Sequence, residues 1–190
     1  FFPAHELKGP VCVILASRLL WDKGVGDFVD AARDLKKKVS NVRFILVGSP
    51  DLDNPSSISE ETVRAWEKEK IVEWWGHHKE MVPIFHSTHI ACLPSYREGL
   101  PKVLIEAASC ELPLVSTDVP GCREIVRDDC NGILVPKGDS FSLSIALLRL
   151  IEDPDLRAKM GKRGRELVID KFSSKHVINK TLDIYKEFVK

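Results

Sequence analysis

The sequence lacks several features that point to common classes of protein. Its 28 lysines and arginines balance its 28 aspartates and glutamates, so no net charge would attract nucleic acid or an anionic membrane. No apolar run approaches the roughly 18 residues that span a bilayer, and no segment resembles a signal peptide. We therefore expect a neutral, cytoplasmic protein that recognises its partners, nucleic acid not among them, through a local site.

Familiar cysteine and phosphate-binding motifs are also absent. The five cysteines form no Cys-x-x-Cys pair and their number is odd, so neither a zinc site nor a disulfide framework is predicted. This usage favours a reducing compartment. No Gly-x-Gly-x-x-Gly follows the first apolar run, which argues against a dinucleotide site, and there is no Walker-type Gly-Lys-Ser/Thr.

The length of 190 residues suits one domain or one lobe of a larger enzyme. The sequence begins with Phe1 rather than Met, and its Pro-containing first ten residues resemble an interdomain linker. We therefore expect residues 1–190 to be one domain of a longer protein, with a linker at 1–10.

Short apolar runs alternate with amphipathic stretches along most of the chain. The apolar runs are rich in Val, Ile and Leu and predict buried strands at 11–17, 42–48, 71–75, 89–94 and 113–117. The amphipathic stretches predict helices at 27–38, 81–86, 102–110, 121–127, 141–151, 154–170 and 173–190. This alternation predicts an α/β, Rossmann-like parallel sheet with helices on both faces, followed by C-terminal helices. Ligands of such a sheet bind at the carboxyl ends of its strands.

The densest group of polar residues is 95–106, Ser-Tyr-Arg-Glu-Gly-Leu-Pro-Lys-Val-Leu-Ile-Glu, which begins where a predicted strand ends. It turns through Gly99 and enters a helix with Pro101 at or near the first position. Unpaired N–H groups and the helix dipole favour an anion there, so we predict a phosphate site. Glu98 precedes the helix and Glu106 lies within it. Carboxylates beside a phosphate suit hydroxyl donors such as those of ribose and hexose.

A second polar group, Ser-Arg-Leu-Leu-Trp-Asp-Lys-Gly at 17–24, follows the first predicted strand. Because carboxyl ends of parallel strands share one edge of a sheet, Arg18 and Lys23 should lie on the same edge as Gly99. An arginine fork and a lysine point charge facing a helix start would clamp a diphosphate. On an ordinary surface the two cations would have no such role, but their place after a buried strand favours it.

Together these groups resemble the signature of the family-four retaining glycosyltransferases of GT-B architecture. Arg18, Lys23 and Gly24 match it, as do Glu98 and Glu106 with seven residues between them, and the resemblance extends over nearly the whole chain from residue 11. The amino-acid sequences of these two groups are most similar to those of bacterial enzymes that use UDP-sugars to extend polyprenyl-diphosphate-linked oligosaccharides for capsule or O-antigen. The resemblance implies a donor domain whose own N-terminal domain binds that acceptor at the cytoplasmic face of the inner membrane.

The resemblance also implies roles for individual residues. Arg18 and Lys23 would hold the donor diphosphate and stabilise it as it leaves, and Glu98 would contact the transferred sugar, so these three are the predicted catalytic residues. No metal or other cofactor is expected, because the two cations replace it. The remaining contacts to the nucleotide would come from the Glu106 carboxylate on the ribose, the loop of Gly76 and His77 on the base, and the phosphate-binding amides of Gly99, Leu100 and Lys102.

One departure from the family pattern concerns the phosphate-binding turn. Pro101 stands where many members have Gly, and it removes one amide donor. The charge of Lys102 would compensate for that loss.

The isolated domain is expected to bind UDP weakly and to transfer no sugar.

Two other functions stay open at this point. A nucleotide-sugar epimerase of the same fold would need acid/base groups beyond Glu98, and a non-catalytic nucleotide-binding module would bind UDP without turnover. Asp51 and Asp53 spell the Asp-x-Asp metal motif of another glycosyltransferase architecture, but their Pro- and Ser-rich surroundings at 49–59 predict a solvated turn. The adjacent His77 and His78 have no further ligands that would suggest a metal.

Overall fold

The computed structural model describes residues 9–188, which form a six-stranded parallel sheet with helices on both faces. The strands are β1 Val11–Ala16, β2 Val42–Val47, β3 Glu73–Trp74, β4 Ile90–Leu93, β5 Leu114–Thr117 and β6 Gly132–Val135. The helices are α1 Val25–Lys38, α2 Glu60–Lys68, α3 Val82–His86, α4 Lys102–Ser109, α5 Pro120–Arg123, α6 Ser140–Glu152, α7 Pro154–Phe172 and α8 Ser174–Phe188. Residues 1–8 of the linker predicted at 1–10, and the last two residues of the terminal helix predicted at 173–190, lie outside the described residues.

The strand order places the first and fourth strands side by side at the centre of the sheet. The order is β3-β2-β1-β4-β5-β6, and Val13 of β1 pairs with Ile90 of β4. The chain therefore builds one half of the sheet outward from β1 and then returns to build the other half. Since all six strands are parallel, the loops after β1 and β4 leave the same edge at the point where the order reverses. That point is where open α/β sheets bind their ligands.

The central strands are buried on both faces, which explains why their sequences are continuously apolar. Val13 and Leu15 of β1 face the core under α1 and α6, whereas Cys12 and Ile14 face the core under α3 and α4. The apolar stripe predicted on α1 is buried, and the ring of Phe28 meets that of Phe44 edge-on at 5.7 Å between centroids.

The predicted fold class is confirmed, but two elements were missed. The prediction omitted β6, which lies between Asn131 and Pro136 and begins with Gly132, a residue disfavoured in strands. It also omitted α2, which is mostly charged and buries only Val63. The five predicted strands are all shorter in the structure, most of all β3 with two residues, and α5 ends at Arg123 rather than at residue 127.

Candidate functional site

The loops after β1 and β4 meet at the edge of the sheet where the strand order reverses. The carbonyl oxygen of Asp22 accepts hydrogen bonds from the Tyr96 backbone N–H at 2.9 Å and from the Ser95 hydroxyl at 3.2 Å. The Ser95 carbonyl in turn accepts one from the Thr117 hydroxyl of β5. Three neighbouring loops are thus joined by hydrogen bonds between residues far apart in the sequence.

Two glycines allow these loops to approach closely. Gly24 has a φ of +71°, and a Cβ there would overlap the carbonyl oxygen of Pro94 at the end of β4. A Cβ at Gly121, in α5, would overlap the carbonyl oxygens of Glu98 and Gly99. Only glycine fits such contacts without movement of the backbone. The Lys23-Gly24 dipeptide of the motif therefore sets the distance between the two loops.

Lys23 and Glu98, both predicted to be catalytic, contact each other. Lys23 lies in a 3₁₀ turn, Trp21–Lys23, and its Nζ lies 2.6 Å from Oε1 of Glu98, which follows β4 in the opposite loop. The side chains are 20% and 11% exposed. The structure thus brings together the cation assigned to the diphosphate and the carboxylate assigned to the sugar, and it pairs them directly.

Arg18, the other predicted cation, also has a carboxylate partner. Its Nη1 lies 2.7 Å from Oδ2 of Asp51, in the loop after β2. Asp51 was predicted only to lie in a solvated turn, and its contact with Arg18 was not predicted. Nothing in local sequence pattern marks it, because the two residues lie 33 positions apart.

A cleft of about 520 Å³ lies between the loops that follow β1, β2 and β3 and the helix α4. Its lining is Ala16, Ser17, Arg18, Val47, Gly48, Ser49, Pro50, Asp51, His77, His78, Met81, Val103 and Glu106. Gly48 has a φ of +136° and lies so close to the Ser17 carbonyl that a Cβ would overlap it. The ring of His78 is held by the Trp75 carbonyl, 3.0 Å from Nε2.

Three of the predicted site residues therefore line the cleft, namely Arg18, His77 and Glu106. Gly76 directly precedes His77 and has open space around its Cα. The other predicted residues are not part of its lining, and they are Lys23, Glu98, Gly99, Leu100 and Lys102.

Helix α4 begins at the edge of this cleft with unpaired amide groups. Lys102 is its first residue and Pro101 precedes it without a side-chain cap. Within residues 9–188 no acceptor is found for the N–H groups of Gly99, Leu100 and Lys102. The predicted anion site at this helix start is therefore open to a ligand.

Glu106 reaches the cleft from the second turn of α4. Its carboxyl is half-buried, and burial raises its pKa above the ordinary value, while the nearby Lys102 opposes that rise. A carboxylate held away from water in this way gains from hydroxyl hydrogen bonds that ligands supply.

Asp27, which is partly buried, and Tyr96, which is exposed, form a further pair that was not predicted from the sequence. The Tyr96 hydroxyl donates to Asp27 of the first turn of α1, and the second carboxylate oxygen of Asp27 is buried without a hydrogen-bond partner among the described residues. Burial raises the pKa of Asp27. Acidic residues are common in first turns, so no local signal separates this one from an ordinary helix start.

Residues 9–188 contain no group of three or more His, Cys, Asp or Glu side chains arranged to hold a metal ion. None of the helices in that range is both long and apolar enough to cross a bilayer. Whether the protein works without a metal stays a prediction.

Comparisons with known proteins agree on one family. The sequence profile described as "Glycosyl transferases group 1" matches residues 1–167. A capsular polysaccharide biosynthesis glycosyltransferase of Staphylococcus aureus, CapM, is 29% identical over 98% of this chain and 49% of its own length. A Campylobacter jejuni protein, N,N'-diacetylbacillosaminyl-diphospho-undecaprenol alpha-1,3-N-acetylgalactosaminyltransferase, is 30% identical over 96% of this chain and 46% of its own. The chain thus spans about half the length of these relatives.

Among solved structures, Anabaena Alr3699/HepE in complex with UDP superposes with a TM-score of 0.84. It is 22% identical, and the match covers 94% of this chain and 49% of that one. At this identity the likeness shows the fold.

Proposed function

Because the chain belongs to the glycosyl transferases group 1 family, we propose that it is the donor-binding domain of a glycosyltransferase that uses a UDP-sugar. The observation that carries the proposal is the cleft, where Arg18, His77 and Glu106 surround a space beside the open amides of α4. The similarly folded Anabaena structure contains UDP, which supports uracil as the base.

The diphosphate would bind between the two cations and the start of α4. Arg18 offers a planar fork and Lys23 a point charge, and the α4 amides add uncharged donors. Arg18 is paired with Asp51 and Lys23 with Glu98, so both ion pairs must break when a diphosphate binds between the cations. The cations then stabilise the negative charge that develops as the nucleotide leaves the sugar.

Glu98 and Glu106 would contact hydroxyl groups on either side of the phosphates. Once Lys23 turns to the diphosphate, the Glu98 carboxylate is free to accept hydrogen bonds from the transferred sugar. The half-buried Glu106 carboxylate would accept both ribose hydroxyls, and the loop of Gly76 and His77 would hold the base. Each of the two carboxylates would thus accept hydrogen bonds from hydroxyl groups rather than face a second anion.

The whole protein would add an acceptor-binding N-terminal domain to this chain. The chain's span of about half the length of its relatives supports this part of the proposal. We propose transfer with retention of the anomeric configuration to a polyprenyl-diphosphate-linked saccharide, as the Campylobacter relative's name describes for that protein. The reaction would run without a metal at the cytoplasmic face of the inner membrane.

Titration calorimetry of the 190-residue chain with UDP, GDP, ADP and UMP, in the presence of EDTA, tests the donor assignment. We expect UDP to bind more tightly than the other three and Arg18→Ala to remove most of the difference between UDP and UMP. Absence of heat with every nucleotide at millimolar concentration would overturn the proposal. Incubation of the full-length enzyme with UDP-sugars tests the reaction, since conversion of the donor without any acceptor would indicate an epimerase instead.

A further inference from the structure

One carboxylate of the cleft has no role in the proposed reaction. Asp51 lies in the Asp-x-Asp segment and contacts Arg18 at 2.7 Å. Its backbone is fixed by hydrogen bonds within its own turn, from its N–H to the Ser57 hydroxyl at 2.9 Å and from the Asn54 N–H to its carbonyl at 2.9 Å. The carboxylate is therefore held beside Arg18 by a defined turn.

The Arg18–Asp51 pair is open to water. The side chain of Arg18 is 61% exposed and that of Asp51 is 30% exposed, against 20% and 11% for Lys23 and Glu98. Ion pairs with such exposure contribute little stability and are screened by salt. A ligand with two phosphates that also reaches Lys23 and the α4 amides can therefore displace Asp51 from Arg18.

We propose that Asp51 competes with the nucleotide diphosphate for Arg18, lowering the affinity for UDP and favouring its release. This inference rests on the proposed function. When a diphosphate takes Arg18, Asp51 loses its cation, so UDP binding must break the Arg18–Asp51 ion pair. When UDP leaves, Asp51 pairs with Arg18 again. A nucleoside monophosphate lacks the distal phosphate that would reach Arg18 and does not meet this competition.

The test compares Asp51→Asn with Asp53→Asn in the 190-residue chain. Asp53 lies two residues along in the same turn, is exposed and has no ion pair among the described residues, so it controls for the loss of one negative charge. We expect Asp51→Asn to lower the Kd for UDP about twofold to fivefold, the range for an exposed ion pair, with little change for UMP. Asp53→Asn should change neither. Asp51→Ser serves as a second variant if the asparagine disturbs the turn.

A double-mutant cycle with Arg18→Ala assigns the effect to the pair. In that background Asp51→Asn should no longer improve UDP binding. If the wild-type chain binds UDP and Asp51→Asn binds it more weakly, the inference is overturned, because Asp51 would then contact the ligand directly. Equal gains for Asp53→Asn, or a gain that persists without Arg18, would also overturn it. A wild-type chain that binds no UDP would instead end the proposed function, and this inference with it.

Discussion

The two ion pairs of the site lie in regions that differ in how firmly they are built. Around Lys23 and Glu98, the loops after β1 and β4 are joined through the Asp22 carbonyl and by the close approach of Gly24, and the pair is mostly buried. Around Arg18 and Asp51 the side chains face an open cleft. The comparison indicates that the backbone around Lys23 and Glu98, where the reacting sugar would lie, is held in place by contacts between loops. The region around Arg18 and Asp51 is open to water and would adjust to the diphosphate and the base.

Removal of either cation from the full-length enzyme is expected to have the largest effect. Lys23→Ala and Arg18→Ala should each lower kcat/KM by about 10²-fold or more, as does the loss of an electrostatic donor to a transition state. Lys23→Ala should be the more damaging, because it also leaves the mostly buried Glu98 without its cation. Steady-state kinetics with a fixed acceptor measures both losses.

The nucleotide affinities of the same variants separate function from structure. UDP binding should weaken more than UMP binding, since the cations act on the distal phosphate. Equal weakening for the two nucleotides would mean that Arg18 and Lys23 maintain the fold rather than bind the diphosphate.

The next effect concerns the junction of the two loops. Gly24→Ala should destabilise the chain by about 2–3 kcal/mol, because the added Cβ would overlap the Pro94 carbonyl at a residue already at positive φ. Gly76→Ala is a matched control, since Gly76 has the same φ of +71° and no atom near the position of a Cβ. Its loss should be about 1 kcal/mol from backbone strain alone. Urea unfolding of both variants tests this, and equal losses would show that the close approach contributes nothing.

The sequence predicted the features that depend on local pattern. The continuous apolar runs of β1, β2 and β4 follow from burial on both faces, and they located the edge where Arg18, Lys23 and Glu98 lie. The family assignment, made on those residues and their spacing, is confirmed. The apolar stripe of α1 from Phe28 to Leu35 was likewise legible from its period.

The features that the sequence did not reveal depend on contacts between distant residues. Lys23 and Glu98 are 75 positions apart, and Arg18 and Asp51 are 33 apart, so no local pattern shows that each cation has a partner. The strand β6 is as long as β4 and β5, but it begins with Gly132, a residue disfavoured in strands, and was not predicted. Its membership of the sheet follows from pairing with β5.

The two glutamates should differ in which kinetic constant they change. Glu98→Ala should lower kcat about tenfold in the full-length enzyme without weakening UDP affinity, since its contact to the sugar strengthens in the transition state. Glu106→Ala should raise KM and weaken UDP itself, because a ribose contact is present before and during the reaction. Measurement of kcat, KM and the melting temperature of both variants decides this. A loss of thermal stability alone in both would show that the site assignment is wrong.

The smallest expected effect is a pH dependence in the adjustable region of the site. Burial raises the pKa of Glu106 above the ordinary value of about 4.3, so part of the free chain holds a protonated Glu106 just above that pH. Ribose hydroxyls that donate to the carboxylate favour its ionised form, and binding should therefore release a proton. UDP affinity should rise with pH from about 4.3 to the raised pKa, by less than tenfold per pH unit for one proton. Glu106→Gln cannot titrate, yet it binds the same nucleotide with the same phosphate ionisation, so the difference between the two pH profiles isolates Glu106. The raised pKa also predicts an effect on stability, because the folded chain holds this proton more tightly than the unfolded chain. The free energy of unfolding should therefore fall as pH rises from about 4.3 to the raised pKa. This fall should be absent in Glu106→Gln. Parallel binding profiles for the two proteins would place the ribose away from Glu106.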